Sequence, residues 1–161
     1  MILCCGDTLI DMLPRQTANG EPAFVPYVGG ALFNSAIALG RVGAPAGLLT
    51  GLSSDFFGKM LSAALAESHV DASYSHISDH PTTLAFVRLV DGQASYTFFD
   101  ENSAGRMLLE TDLPALDPGI KAMLFGCMTL IAEPCGSTYE ALMRREHKSR
   151  VMMLDPNIRP D

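Results

Sequence analysis

The sequence has no tryptophan, no basic run longer than Arg144-Arg145 and no apolar stretch near the length of a membrane span. Each lack closes off a class of function. A spanning helix needs about 20 consecutive apolar residues. The N-terminal MILCCGDTLIDMLP has no Lys or Arg ahead of its apolar stretch and meets Asp7 and Asp11 almost at once, so it does not read as a signal peptide. With 11 Lys and Arg against 18 Asp and Glu, the net charge of −7 makes a poor partner for a phosphate backbone. Neither nucleic acid nor a membrane is therefore expected as a partner. The four cysteines, Cys4, Cys5, Cys127 and Cys135, include an adjacent pair that seldom bridges, and no His stands close enough to complete a zinc pattern. A reduced, cytoplasmic protein is the simplest account.

What is present points to one globular unit. A length of 161 residues suits a single domain, and 48% hydrophobic residues are ample for a core. Residues 1–5, 46–51, 122–128 and 150–154 are short apolar runs of the buried-strand kind, and residues 70–74 read as a further short strand. Helical spacing occupies residues 31–41, 53–68 and 137–148, with Ser53, Ser54 or Asp55 as a cap for the second. Strands alternating with helices predict an α/β fold with a parallel sheet flanked by helices. Two stretches break that rhythm. Residues 13–28 are rich in turn formers, with a hairpin expected at Asn19-Gly20, and residues 82–90 and 94–99 flank Asp91-Gly92. Both are expected to form a small β flap off one edge of the sheet.

In open α/β sheets ligands bind beyond the carboxyl ends of the strands. Four such ends carry polar groups: Gly6-Asp7 to Asp11, Gly51 to Asp55, Glu133, and Asp155 to Arg159. Gly29-Gly30 stands where a strand turns into a helix, and Asn34 falls in the first helical turn. Such glycines form either a tight turn or a cradle where a ligand meets the backbone and the free N–H groups of a helix start. No P-loop lysine follows them. Asp7 and Asp11 are either two acceptors for sugar hydroxyls or the ends of a solvated loop. Asp155, Asn157 and Arg159 either bracket a polar ligand or close a turn. The four histidines read as surface residues and the nine methionines as core filling.

The ordered set GDTLIDMLP, VGGALFNSAIALGRVGA, GLSSDFFG, TTLAFVRLVDGQASYTFFDENSAGRML, EPCGSTYEAL and LDPNIRP resembles the amino-terminal half of the PfkB (ribokinase-like) carbohydrate kinases, the bacterial fructokinases in particular. The resemblance covers essentially the whole chain. It implies a ribokinase-like sheet with a β lid, here residues 13–28 and 82–100, and transfer of the ATP γ-phosphoryl group, with Mg2+, to a sugar hydroxymethyl. It implies that Asp11, Gly29, Gly30, Asn34, Phe98 and Arg159 bind the sugar, and that Glu133 and Asn157 lie on the phosphate and magnesium side. Gly51, Asp55 and Gly58 match a second turn and helix start. Asp7 departs from the Glu commoner in fructokinases, and Leu32 from the Pro of ribokinases.

The resemblance also marks what is missing. The family's catalytic base is an Asp in a Gly-Ala-Gly-Asp stretch, and the only Gly-Asp pair here is Gly6-Asp7. The base and the ATP-binding half are therefore expected beyond Asp161, and the chain alone is expected to be inactive. The alternatives are a 2-keto-3-deoxygluconate kinase or another member of the family, or a sugar-binding module without catalysis. Relatives acting on the keto-acid tend to carry Arg where Asp100 stands, so a neutral sugar is expected. The strand at residues 150–154 is expected to leave an apolar edge open, which favours aggregation or a homodimer.

Overall fold

The computed structural model describes residues 1–90 and 93–157. Along the chain come β1 (Ile2–Cys5), β2 (Leu9–Gln16), β3 (Pro22–Gly29), α1 (Ala31–Arg41), β4 (Ala46–Leu49) and β5 (Gly51–Ser53). They are followed by α2 (Phe56–Glu67), β6 (Val70–Asp71), β7 (His76–Ser78), β8 (Leu84–Val90) and β9 (Gln93–Phe99). Then come β10 (Ala122–Gly126), α3 (Cys135–Glu146) and β11 (Val151–Asp155), with single 3-10 turns at Glu110–Asp112 and Met128–Leu130.

Five strands form a parallel sheet in the order β11-β10-β1-β4-β6. Its central strand explains the layering. Successive side chains of a strand point to opposite faces. On β1, Cys4 joins Phe33, Ile37, Leu61 and Leu65 beneath α1 and α2, whereas Leu3 and Cys5 join Phe125, Tyr139 and Leu142 beneath α3. Helices cover both faces, so β1 must be apolar throughout, and Leu3, Cys4 and Cys5 are wholly buried. The α/β fold class read from the sequence holds.

A second sheet, in the order β3-β2-β8-β9, consists of two antiparallel hairpins joined by a parallel pairing of Ile10–Met12 with Leu84–Phe86. It springs from the carboxyl end of β1, the middle of the main sheet, and not from an edge. The reason is local: Leu9 and Ile10 at the root of β2 are buried, and Ile10 packs into the α1/α2 core. The first hairpin turns at Asn19-Gly20, with Gly20 at φ 80°. Asp91-Gly92 of the second lies outside the described residues.

Three boundaries differ from the sequence pattern. The run at residues 46–51 breaks at Thr50, so that β5 pairs with β7 in a separate ribbon. The helix expected from residue 53 starts at Phe56, behind an Asp55 cap. The apolar run after residue 122 stops at Gly126, because Cys127 adopts a left-handed φ of 66° that no strand accommodates. At the open edge of the main sheet, β11 exposes Val151, Met153 and Leu154.

Candidate functional site

The chain leaves β1 through Gly6-Asp7, and the structure gives Asp7 a role that the sequence pattern did not. Its carboxylate is buried and accepts the N–H of Ala31 (3.0 Å) and of Leu32 (3.2 Å). Its carbonyl accepts Phe33 N–H at 3.3 Å, and Gly30 carbonyl accepts Asn34 N–H at 2.9 Å. All four N–H groups at the start of α1 are thus taken from within the chain. The expectation that this helix start offers free donors to a ligand is corrected, as is the reading of Asp7 as a sugar acceptor or a solvated loop end. A carboxylate at a helix N-terminus also meets the positive end of the helix dipole.

Gly30 adopts φ 112°, and a Cβ there would lie 2.5 Å from the Asp7 carbonyl oxygen. Its missing side chain lets β3 turn into α1 directly against Asp7-Thr8. Gly29 is absent-sided for another reason: a Cβ would collide with Oδ2 of Asp11. The second glycine therefore serves the backbone turn, and the first leaves room for a carboxylate.

Asp11 sits within β2, paired with Tyr27 of β3 and Ala85 of β8, and Ala85 pairs in turn with Phe98 of β9. Residues directly opposite across a sheet share a face. Tyr27, Asp11, Ala85 and Phe98 therefore form one row across all four strands of the flap. Leu9 is on the same face as Asp11, two residues away, and it lines a small recess of about 20 Å³ together with Asp7, Thr83, Asp100, Thr129 and Cys135. Thr129 follows β10, so this face of the flap looks toward the carboxyl ends of the main-sheet strands. Asp11 is half-buried there, and Phe98 is exposed and stacked on Tyr96 with ring centroids 5.9 Å apart.

The remaining candidates lie around this crevice. Asn34 is exposed in the first turn of α1. Glu133 is exposed before α3, where Oε2 accepts Ser137 N–H at 3.4 Å. Asn157, at φ 48°, donates its amide to Sγ of Cys127 (3.6 Å) while its N–H bonds Oδ1 of Asp155 (3.0 Å). It therefore closes a turn and also reaches the end of β10. Arg159 lies outside the described residues. Burial and the nearby Asp7 carboxylate push the Cys127 thiol up, against the Asn157 hydrogen bond.

Sequence reasoning missed Arg106. Its Nη1 pairs with Oδ2 of Asp100 at 3.1 Å, and its Nε donates to the Glu133 carbonyl at 3.1 Å. Asp100, which stands where relatives acting on the keto-acid tend to carry Arg, is thus a compensated carboxylate. No local pattern shows this, because the partner lies past the end of the flap. Asp55 proves to be a tie as well as a cap. It accepts Gly58 N–H (2.7 Å), Thr82 N–H (2.9 Å) and the Thr82 hydroxyl (2.7 Å), binding α2 to the start of β8. Burial pushes its carboxyl up, but these hydrogen bonds outweigh burial and hold it below its ordinary value.

A parallel sheet between helices, with a flap that faces the strand ends, is ribokinase-like architecture. The chain belongs to the pfkB family of carbohydrate kinases, whose family model matches residues 1–161. It is 56% identical over 160 residues to a fructokinase of Rhizobium leguminosarum bv. trifolii, covering 99% of this chain and 49% of that protein. It superposes on the crystal structure of fructokinase with bound ATP from Xylella fastidiosa with a TM-score of 0.88 and 28% identity, covering 99% of this chain and 52% of that one. A fructokinase from Vibrio cholerae O395, in its fructose, ADP and calcium ion bound form, matches with a TM-score of 0.82 and 25% identity over 98% of this chain and 51% of that one. The chain spans about half the length of the curated relatives it matches.

Proposed function

We propose that the chain supplies the sugar-binding part of an ATP-dependent fructokinase, which phosphorylates a sugar hydroxymethyl. The observation that carries the reading is the seat of Asp11: a carboxylate on the crevice face of the flap, with Gly29 held bare beside it. Asp11 accepts sugar hydroxyls, the exposed Asn34 amide adds a donor and an acceptor, and Phe98 covers the sugar with an apolar ring. Gly29 and Gly30 act by fixing the geometry around Asp11 and Asp7. Arg159 is assigned to the same sugar by the family pattern.

ATP and Mg2+ complete the proposed reaction, in which the nucleotide supplies the phosphoryl group. On that side this chain offers the Glu133 carboxylate and the Asn157 amide. Mg2+ is usually held by one or two carboxylates together with nucleotide phosphates and water, and the exposed Glu133 carboxylate is of that kind. The catalytic base is placed outside this chain.

The proposal extends to a cytoplasmic protein without nucleic acid or membrane partners. The cysteines are free thiols, and no helix of the described residues is long and apolar enough to cross a membrane. The test is calorimetric titration of D-fructose into the protein, with ADP release from fructose and ATP-Mg2+ measured on the full-length enzyme. Asp11→Ala is expected to weaken fructose binding about 10- to 100-fold, the value of a charge-assisted hydrogen bond. Unchanged affinity in Asp11→Ala overturns the site.

A further inference from the structure

The flap carries an aromatic residue that neither the motifs nor the reading above uses. We propose that Tyr27 is a second wall of the sugar site, opposite Phe98, so that the flap holds a neutral ring sugar between two aromatic faces above Asp11. The proposal rests on the fructose reading of the site and names how that site selects its substrate class.

The sheet register carries the argument. Tyr27 pairs directly with Asp11, Asp11 with Ala85, and Ala85 with Phe98. The row therefore reads aromatic, carboxylate, methyl, aromatic on the face toward the strand ends. Strands lie about 4.8 Å apart, so the two rings stand on backbones roughly 14 Å apart, with Asp11 and the buried Ala85 between them. Ala85 is fully buried, whereas Tyr27 and Phe98 are 45% and 42% exposed. Both rings keep a large part of their surface accessible on either side of a carboxylate, where a ligand can reach them.

Each ring has a neighbour on the same face of the flap. Phe98 stacks on Tyr96, with planes 12° apart. Tyr27 carries the Arg15 guanidinium 5.8 Å from its ring centroid. Such contacts restrict the rings, so less freedom is lost on binding. A sugar ring has apolar C–H faces that pack on an aromatic surface and hydroxyls that a carboxylate accepts. A linear acid or a bare phosphate presents no such face. The chemistry of the row therefore selects an uncharged cyclic sugar.

The experiment is NMR of the protein with ring-labelled tyrosine, titrated with D-fructose alongside calorimetry. There are four tyrosines, and Tyr27→Phe identifies the Tyr27 signal by its loss. The Tyr27 resonance is expected to move saturably, with the dissociation constant that calorimetry gives. Tyr27→Ala is expected to weaken fructose at least about tenfold, while Tyr27→Phe, which keeps the ring, stays within about threefold. The thermal midpoint should hold near that of the parent, since the side chain is exposed. Fructose binding that depends on Asp11 but leaves Tyr27 unmoved, with Tyr27→Ala within twofold of the parent, overturns the wall and spares the site. A Tyr27→Phe loss as large as that of Tyr27→Ala assigns the effect to the hydroxyl and also overturns it. No fructose binding by the parent overturns the fructose reading, and this proposal with it. Should Tyr27→Ala unfold, the resonance shift in the parent protein decides.

Discussion

The carboxylate of Asp11 occupies the space that a side chain on Gly29 would fill. The two glycines of the pair consequently respond differently to substitution. In Gly29→Ala the added methyl meets the end of a movable side chain, so the fold is expected to hold while Asp11 is displaced and fructose affinity falls. In Gly30→Ala the methyl meets the Asp7 backbone and φ of 112° is strained, at a cost of about 1–3 kcal/mol. Thermal unfolding and fructose calorimetry on both variants check the contrast. Equal loss of stability in the two would contradict it.

Asp7 carries the start of α1. Asp7→Ala leaves the Ala31 and Leu32 N–H groups without their acceptor in a buried setting and is expected to cost about 1–3 kcal/mol. Asp7→Asn retains one acceptor oxygen and should fall between the two. Chemical denaturation measures both. A change within 0.5 kcal/mol, as an ordinary surface position would give, is about the threshold below which the capping role is refuted.

The Asp55 tie gives a pH dependence of definite sign. Its carboxyl is held below the ordinary value of 3.8 in the folded chain. Its contribution is therefore complete above that value and lost as pH falls through the lower folded one. The thermal midpoint of the parent should exceed that of Asp55→Ala at pH 7, and the gap should narrow below about pH 4. A gap that widens in acid has the wrong sign for this mechanism.

Asp100 and Arg106 form a neutral pair beside the crevice, 3.1 Å apart. Asp100→Asn leaves the guanidinium uncompensated. Binding of 2-keto-3-deoxygluconate is then expected to strengthen relative to fructose, by about the 1 kcal/mol or more that unit charges exchange at close range. Added salt should erase the gain. Equal titration curves for Asp100→Asn and the parent would place Arg106 out of the substrate's reach.

The exposed strand β11 predicts self-association. Val151, Met153 and Leu154 leave an apolar parallel edge in water, and a charge on such an edge blocks strand addition. Light scattering on the 161-residue chain should show assemblies that Met153→Lys reduces. A monodisperse monomer in both would end the argument.

Local pattern was enough for the class of fold. Apolar runs such as Met123 to Phe125 and amphipathic stretches such as Tyr139 to Met143 declare strand and helix by periodicity, a property of consecutive residues. Asp11, Gly29, Gly30 and Asn34 were legible as candidates because glycine and carboxylates at strand ends stand out against apolar surroundings. What each of them does was not legible. The division of labour between Gly29 and Gly30 depends on which atoms come within 3 Å of a missing Cβ, 18 or more residues away along the chain. Asp7 closes its helix across 24 residues, and Arg106 reaches both Asp100 and, 27 residues on, the Glu133 carbonyl. The row Tyr27, Asp11, Ala85, Phe98 exists only through a sheet register that joins four strands. Periodicity assigns a residue to a face of its own element. Only tertiary packing decides which faces meet, because hydrogen bonds and contacts between distant segments depend on position in space and not on spacing in the chain.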